Sequence, residues 1–182
     1  MANVPIIVHD AYEAVRVWLE NNIVNFSSNT NVSKITEAIY VGNMSTGTNL
    51  ELLKSLGITH VVSALSCFDP PHPKEFEYLH IFCHDWEFEP ISLRFTESNI
   101  FIQNAIDQGG KVYVHCMSGI SRSVTLVMAY LVTSLALEKS DKSIADILES
   151  VRERRLVANP NPGFIAQLEE HQKRITEADS SD

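Results

Sequence analysis

Cys116 and Arg122 stand six positions apart in the run Val112-Tyr113-Val114-His115-Cys116-Met117-Ser118-Gly119-Ile120-Ser121-Arg122-Ser123. A thiolate is a strong nucleophile, and a guanidinium is a planar fork that grips two oxygens of an anion at once. The pair alone carries little information, since buried inert cysteines and surface arginines are both common. Its neighbours carry more. The β-prone stretch Lys111–His115 delivers the cysteine, Gly119 lets the backbone turn tightly, and Ser121 can cap the helix that follows. In that geometry the N–H groups of residues 117–122 converge and form an anion-binding nest at a helix N-terminus. The same positive surroundings favour thiolate over thiol. One loop can therefore activate a nucleophile and hold a tetrahedral dianion in front of it.

Such a loop needs a strand before it and a helix after it, and the rest of the chain supplies both patterns. Residues 10–24 repeat apolar positions (Val15, Trp18, Ile23) at helical spacing, and the polar Ser27–Ser33 reads as a loop. Ile39-Tyr40-Val41 is a short strand; Asn49–Leu56 is a helix stopped by Gly57. Ile58–Leu65 reads as a buried strand and Tyr78–Phe82 as a further strand, on either side of the Pro70-Pro71-His72-Pro73 loop. Phe95–Asp107 is helical and Gly109-Gly110 breaks it; helices over 121–136, 141–155 and 162–175 follow the cysteine loop. Strands interleaved with helices imply a single α/β domain with a central, mainly parallel, twisted sheet and helices on both faces. In such sheets ligands sit at the carboxyl ends of strands, where Cys116 is placed.

The run His115-Cys116-Met117-Ser118-Gly119-Ile120-Ser121-Arg122-Ser123 resembles the signature of the cysteine-dependent tyrosine phosphatases, and in particular the small dual-specificity subgroup. Ser118 stands where that subgroup usually has alanine. Glu37–Asn43, Gly57–Val62 and Pro160-Asn161-Pro162-Gly163-Phe164 extend the resemblance over roughly residues 33–172. It implies a phosphatase fold and a phosphoprotein phosphatase active in signalling, working through a phosphocysteine intermediate. Cys116 is then the nucleophile. Met117, Ser118, Gly119, Ile120, Ser121 and Arg122 bind the phosphate, Ser123 helps the thiolate leave, and His115 orients the loop. The general acid of the family lies on a loop some thirty residues upstream. Asp85 lies 31 positions before Cys116, just past the Tyr78–Phe82 strand, with Glu87 and Glu89 as competitors. Asp69, beside a proline loop, and Asp107, late in a helix, suit the role less. The resemblance calls for no cofactor and no metal. Cys67 and Cys83 read as small apolar residues, with a reversible disulfide to Cys116, as in some relatives, as the alternative.

Composition narrows the partners. The chain has 182 residues, 45% apolar and 20% charged, which suits one globular domain. A net charge of −9 argues against nucleic-acid binding, which needs a basic footprint. The stretch Val124–Leu137 is too short and too polar to span a bilayer, so no membrane insertion is expected. Three cysteines make no disulfide framework, and the first residues resemble no secretion signal; the expected location is intracellular, cytoplasmic and/or nuclear. The expected substrate is a phosphorylated protein. No lysine lies between Cys116 and Arg122, which disfavours a polyanionic phosphoinositide or an RNA 5′-end. A silent phosphopeptide-binding module on the same fold is the rival from another class. Arg152, Arg154 and Arg155 read as a solvated face paired with Glu149 and Glu153; His60 and His80 read as structural histidines. The expected organisation is an N-terminal helix and linker over 1–32, a catalytic domain over 33–175 and a disordered acidic tail over 176–182. The N-terminal helix is also where a homodimer would form.

Overall fold

A computed structural model describes residues 31–179; the helix expected over residues 10–24, and with it the homodimer surface, lies outside the described residues. A compact unit begins at Asn31. It is built on a five-stranded sheet in the order β1-β2-β5-β3-β4, with β1 (Val32–Lys34), β2 (Ile39–Asn43), β3 (His60–Ala64), β4 (Glu77–Ile81) and β5 (Val112–Cys116). All neighbours are parallel except β1, which runs antiparallel to β2 at the edge. The mixed α/β architecture inferred from the alternating patterns is the one observed.

The central strands β2, β3 and β5 are buried along their whole length. This explains why they read as short apolar runs rather than as alternating ones. One face of the sheet carries Ile39, Val41, Val62, Val112 and Val114 into a large core with the helices α3 (Phe95–Asp107), α4 (Arg122–Leu137), α5 (Ile144–Arg152) and α6 (Pro162–Asp179). The other face packs Tyr40, Val61 and Tyr113 against Leu53 of α2 (Leu50–Ser55), behind the one-turn helix α1 (Met44–Gly47). Helix α4 buries Ser123–Ala129 without a break, so it has little polar face and sits at the centre of the domain. Because β2, β3, β4 and β5 are parallel, Asn43, Ala64, Ile81 and Cys116 all close the same edge of the sheet, and the segments leaving it form one cluster.

Two expectations need correction. Val32 and Ser33, read as loop, belong to β1, which has no alternating pattern and is held by backbone pairing to Gly42 and Val41. The tail expected to be disordered from Thr176 is still helical to Asp179. Its Thr176 hydroxyl donates to the Gln172 carbonyl at 3.0 Å, and Lys173 and Glu177 form an i,i+4 ion pair.

Candidate active site

Cys116 ends the central strand β5 with its side chain 1% exposed, and its sulfur accepts from the Gly119 N–H at 3.2 Å and the Ser123 hydroxyl at 3.3 Å. The loop that follows is held from outside by its carbonyls. The Met117 carbonyl accepts from Met44 N–H at 3.1 Å, that of Ile120 from Asn159 N–H at 2.9 Å and that of Ser121 from Thr125 N–H at 2.8 Å. Those of Ser118 and Gly119 accept from Arg155 at 3.3 and 2.6 Å. The Ser121 carbonyl thus opens the α4 ladder, and with the four carbonyls of Met117–Ile120 engaged by other segments the opposite, amide edge is left to face the sulfur, as the Gly119 N–H does. Gly119 sits at φ +68, and a side chain there would collide with both the Gly42 carbonyl and Arg155.

Arg122, the first residue of α4, has its side chain 12% exposed. Its Nη1 donates to the Cys83 carbonyl at 3.4 Å, and its Nε, buried without a hydrogen-bond partner, lies 3.5 Å from Asp85 Oδ2. A buried guanidinium N–H left without an acceptor beside a ring of amides is built to receive an anion.

Asp85 leaves the same sheet edge after β4 and reaches over the loop. Its Oδ1 accepts from the Ser121 hydroxyl at 2.6 Å and from the Asn161 side-chain amide at 3.0 Å. Of its competitors, Glu87 is exposed and its backbone packs against Gly163; Glu89 lends its carbonyl to Gln167. Asp107 lies at the end of α3, before β5 begins and therefore at the opposite edge of the sheet, where it accepts from Gln103. The structure brings Cys116, Arg122, Asp85 and Ser123 together. Among the described residues no group of His, Cys, Asp and Glu is placed to hold a metal ion.

Residues 39–174 match the model of the dual specificity phosphatase catalytic domain. The chain belongs to the dual specificity phosphatase family. It is 40% identical over 144 residues to dual specificity protein phosphatase 1B of Arabidopsis thaliana, an alignment covering 79% of this chain and 83% of that one. In structure it is similar to the human tyrosine phosphatase-like serine/threonine/tyrosine-interacting protein, with a TM-score of 0.74 and 30% identity over 80% of this chain and 97% of that one. The phosphatase domain of Yvh1 from Chaetomium thermophilum gives a TM-score of 0.70 at 30% identity, covering 79% of this chain and 96% of that one.

Several side chains of this dual specificity phosphatase have destinations that the sequence did not reveal. Ser121 does not cap α4: its φ of −115 and ψ of −77 turn the hydroxyl away from the helix amides, and it bonds Asp85 instead. Arg155, read as part of a solvated face, is 2% exposed and holds the cysteine loop. Arg152 is likewise engaged, by the Ala158 carbonyl and the Asn159 side chain. No sequence signal marked Arg155, and Asn161 stood out only as part of the Pro160–Phe164 run that carries the resemblance, with no role attached.

His115 is fully buried, with Nε2 2.7 Å from the Ser63 hydroxyl, and burial pushes its pKa down to about 4, partly countered by a backbone contact at Cys116. A neutral ring in that position braces β5 against β3. His60 and His80 are structural as expected, bonded to Thr59 and to the Leu65 carbonyl. Cys67 is exposed, whereas Cys83 is buried beside the site, and burial pushes its thiol up to about 12 even with Arg122 opposing. A thiol so held stays protonated and is a poor attacking group. Beside Asp85 an aromatic ladder runs Phe82, His84, Trp86, Phe88, exposed except at the half-buried His84, which stacks on Trp86 at 4.2 Å.

Proposed function

We propose that this protein phosphatase dephosphorylates phosphotyrosine, and phosphoserine or phosphothreonine, through a cysteinyl-phosphate on Cys116. The observation that carries the reading is the loop whose carbonyls from Met117 to Ile120 are all tied to other segments. The sulfur already accepts from the Gly119 amide and the Ser123 hydroxyl, and the Arg122 Nε at the end of the same loop has no hydrogen-bond partner.

In the first step the Cys116 thiolate attacks phosphorus in line and the P–O bond to the alcohol or phenol breaks. Asp85 gives its proton to the departing oxygen. The amides of residues 117–122 and the Arg122 fork hold the equatorial oxygens, whose charge is spread in a loose transition state. In the second step Asp85, now a carboxylate, takes a proton from water as the water attacks phosphorus. The S–P bond breaks to release inorganic phosphate, while the Ser123 hydroxyl, 3.3 Å from the sulfur, stabilises the thiolate that forms.

The substrate is a phosphoprotein rather than a phosphoinositide, because Met117–Ser121 contribute no cation beyond Arg122 and Asp85, Glu87 and Glu89 lie on the neighbouring loop. A panel of phosphotyrosine, phosphoserine, phosphothreonine and phosphoinositide substrates tests this beside Cys116→Ser, which should bind phosphopeptide without turnover. Measurable turnover by the serine variant would sink the nucleophile assignment. Equal phosphopeptide binding with no turnover by the unaltered protein would instead favour the binding-module reading.

An intracellular location, cytoplasmic and/or nuclear, fits a nucleophilic thiol in a chain whose Cys67 and Cys83 are also free. Among the described residues no helix is long and apolar enough to cross a membrane. The division into an extension over 1–32 and a catalytic domain from 33, and a second copy docked through residues 10–24, are tested together. Sedimentation of the full chain is compared with that of a chain lacking residues 1–30, and the same number of chains per particle in both sinks the dimer.

A further inference from the structure

We propose that Asn161 is a positioning residue for the general acid, fixing which oxygen of Asp85 carries the proton. The proposal rests on the reading of Asp85 as that acid. Oδ1 of Asp85 accepts twice, from Ser121 at 2.6 Å and from the Asn161 side-chain N–H at 3.0 Å. An oxygen occupied by two donors is an acceptor and has no room for a proton of its own. Oδ2 is left to bear it, and Oδ2 is the oxygen that faces Arg122, the arginine of the cysteine signature, 3.5 Å from its Nε.

Asn161 cannot swing away from this duty. Its Oδ1 accepts from Phe164 N–H at 3.0 Å and so caps α6, which forces its Nδ2 toward Asp85. Its own N–H donates to the Ser121 hydroxyl at 3.2 Å, which orients the second donor as well. The start of α6 also seats the rest of the acid loop. Gly163 lies so close to the Glu87 carbonyl that any side chain would collide with it. The Gln167 amide donates to the Glu89 carbonyl at 2.9 Å and accepts from Ser92 N–H at 2.9 Å. Residues 76 positions apart thus form one device: the first turns of α6 hold the acid and Asn161 sets its rotation.

The competing account is that Asn161 only caps the helix. Asn161→Ser and Asn161→Thr separate the two, because both keep a capping oxygen but are too short to donate to Asp85. The measurement is kcat/KM over a series of aryl phosphates of rising leaving-group pKa, run on the full chain beside Asp85→Ala. General acid catalysis contributes on the order of 10²–10⁴-fold, and matters most where the leaving group is poor. We expect the Asn161 variants to lose roughly tenfold or more on phenyl phosphate and less than about threefold on 2,4-dinitrophenyl phosphate, with thermal midpoints close to that of the unaltered protein. A flat loss across the series, or none, while Asp85→Ala shows the leaving-group dependence, overturns the role of Asn161 and leaves Asp85 as the acid. No leaving-group dependence in Asp85→Ala overturns the acid assignment itself.

Discussion

Replacing Arg155 by methionine tests the claim that the phosphate loop is shaped from behind. The guanidinium is 2% exposed; its Nε donates to the Gly119 carbonyl at 2.6 Å, its Nη2 to Ser118 at 3.3 Å and its Nη1 to the Ser33 hydroxyl at 3.3 Å. A hydrogen bond from a charged donor contributes about 1.5–3 kcal/mol, and the two longer contacts about 1 kcal/mol each. Methionine fills most of the volume and relieves the desolvation of a buried cation, which offsets part of the loss. It offers no donor, however, so the two loop carbonyls are left buried and unpaired, and that penalty decides the sign. The net expectation is a loss of about 2–4 kcal/mol, read by urea denaturation. Freed carbonyls can also rotate toward the sulfur and spoil the amide ring, so kcat/KM measured well below the unfolding temperature should fall by about tenfold or more. Arg155→Lys should recover little of this, because a single ammonium cannot fork between neighbouring carbonyls. A methionine variant with unchanged stability and unchanged kcat/KM would refute the reasoning.

Burial holds His115 near 4 against an ordinary 6.5, so the unfolded chain takes up a proton in that window that the native chain does not. Its contribution is fully present above pH 6.5 and falls by about 3 kcal/mol as the pH drops to 4, a loss that urea titrations of His115→Asn should lack; equal slopes in the two proteins would count against it. Ser123→Ala should slow the second step by about 10–100-fold, the worth of a hydrogen bond to a charged sulfur. A burst of p-nitrophenol stoichiometric with enzyme should then appear, and loss of the first step instead would show that Ser123 acts on attack rather than departure. Asp85→Ala should flatten the basic limb of the pH profile for p-nitrophenyl phosphate, and Glu87→Ala should leave it intact.

The cysteine loop was legible in the sequence because its physics is local. A β-prone run, one glycine and an apolar helix within about a dozen residues suffice to aim amides at a sulfur, and parallel strands place Cys116 and the end of β4 on one edge of the sheet. Helix α3 was read with the bounds it has, Phe95–Asp107, since its periodicity is strong and Gly109-Gly110 ends it. The one-turn helix α1 and the edge strand β1 were missed, being too short to show a period and held by neighbours rather than by their own pattern.

What the chain's own pattern determined is therefore the fold class and the reactive pair. Which polar side chains stand around that pair was decided by tertiary structure. Arg155 lies among Glu149, Arg152, Glu153 and Arg154, a composition that reads as solvated surface, and only the packing of the α5 end against Gly119 buries it. Ser121 looked like a helix cap until Asp85 arrived from 36 residues away, and Asn161, one residue of the Pro160–Phe164 run, meets Asp85 only once α6 folds back over the acid loop. Charge and hydrogen-bonding capacity are written in the residue type, but the partner is fixed by contacts that the chain makes only once it is folded.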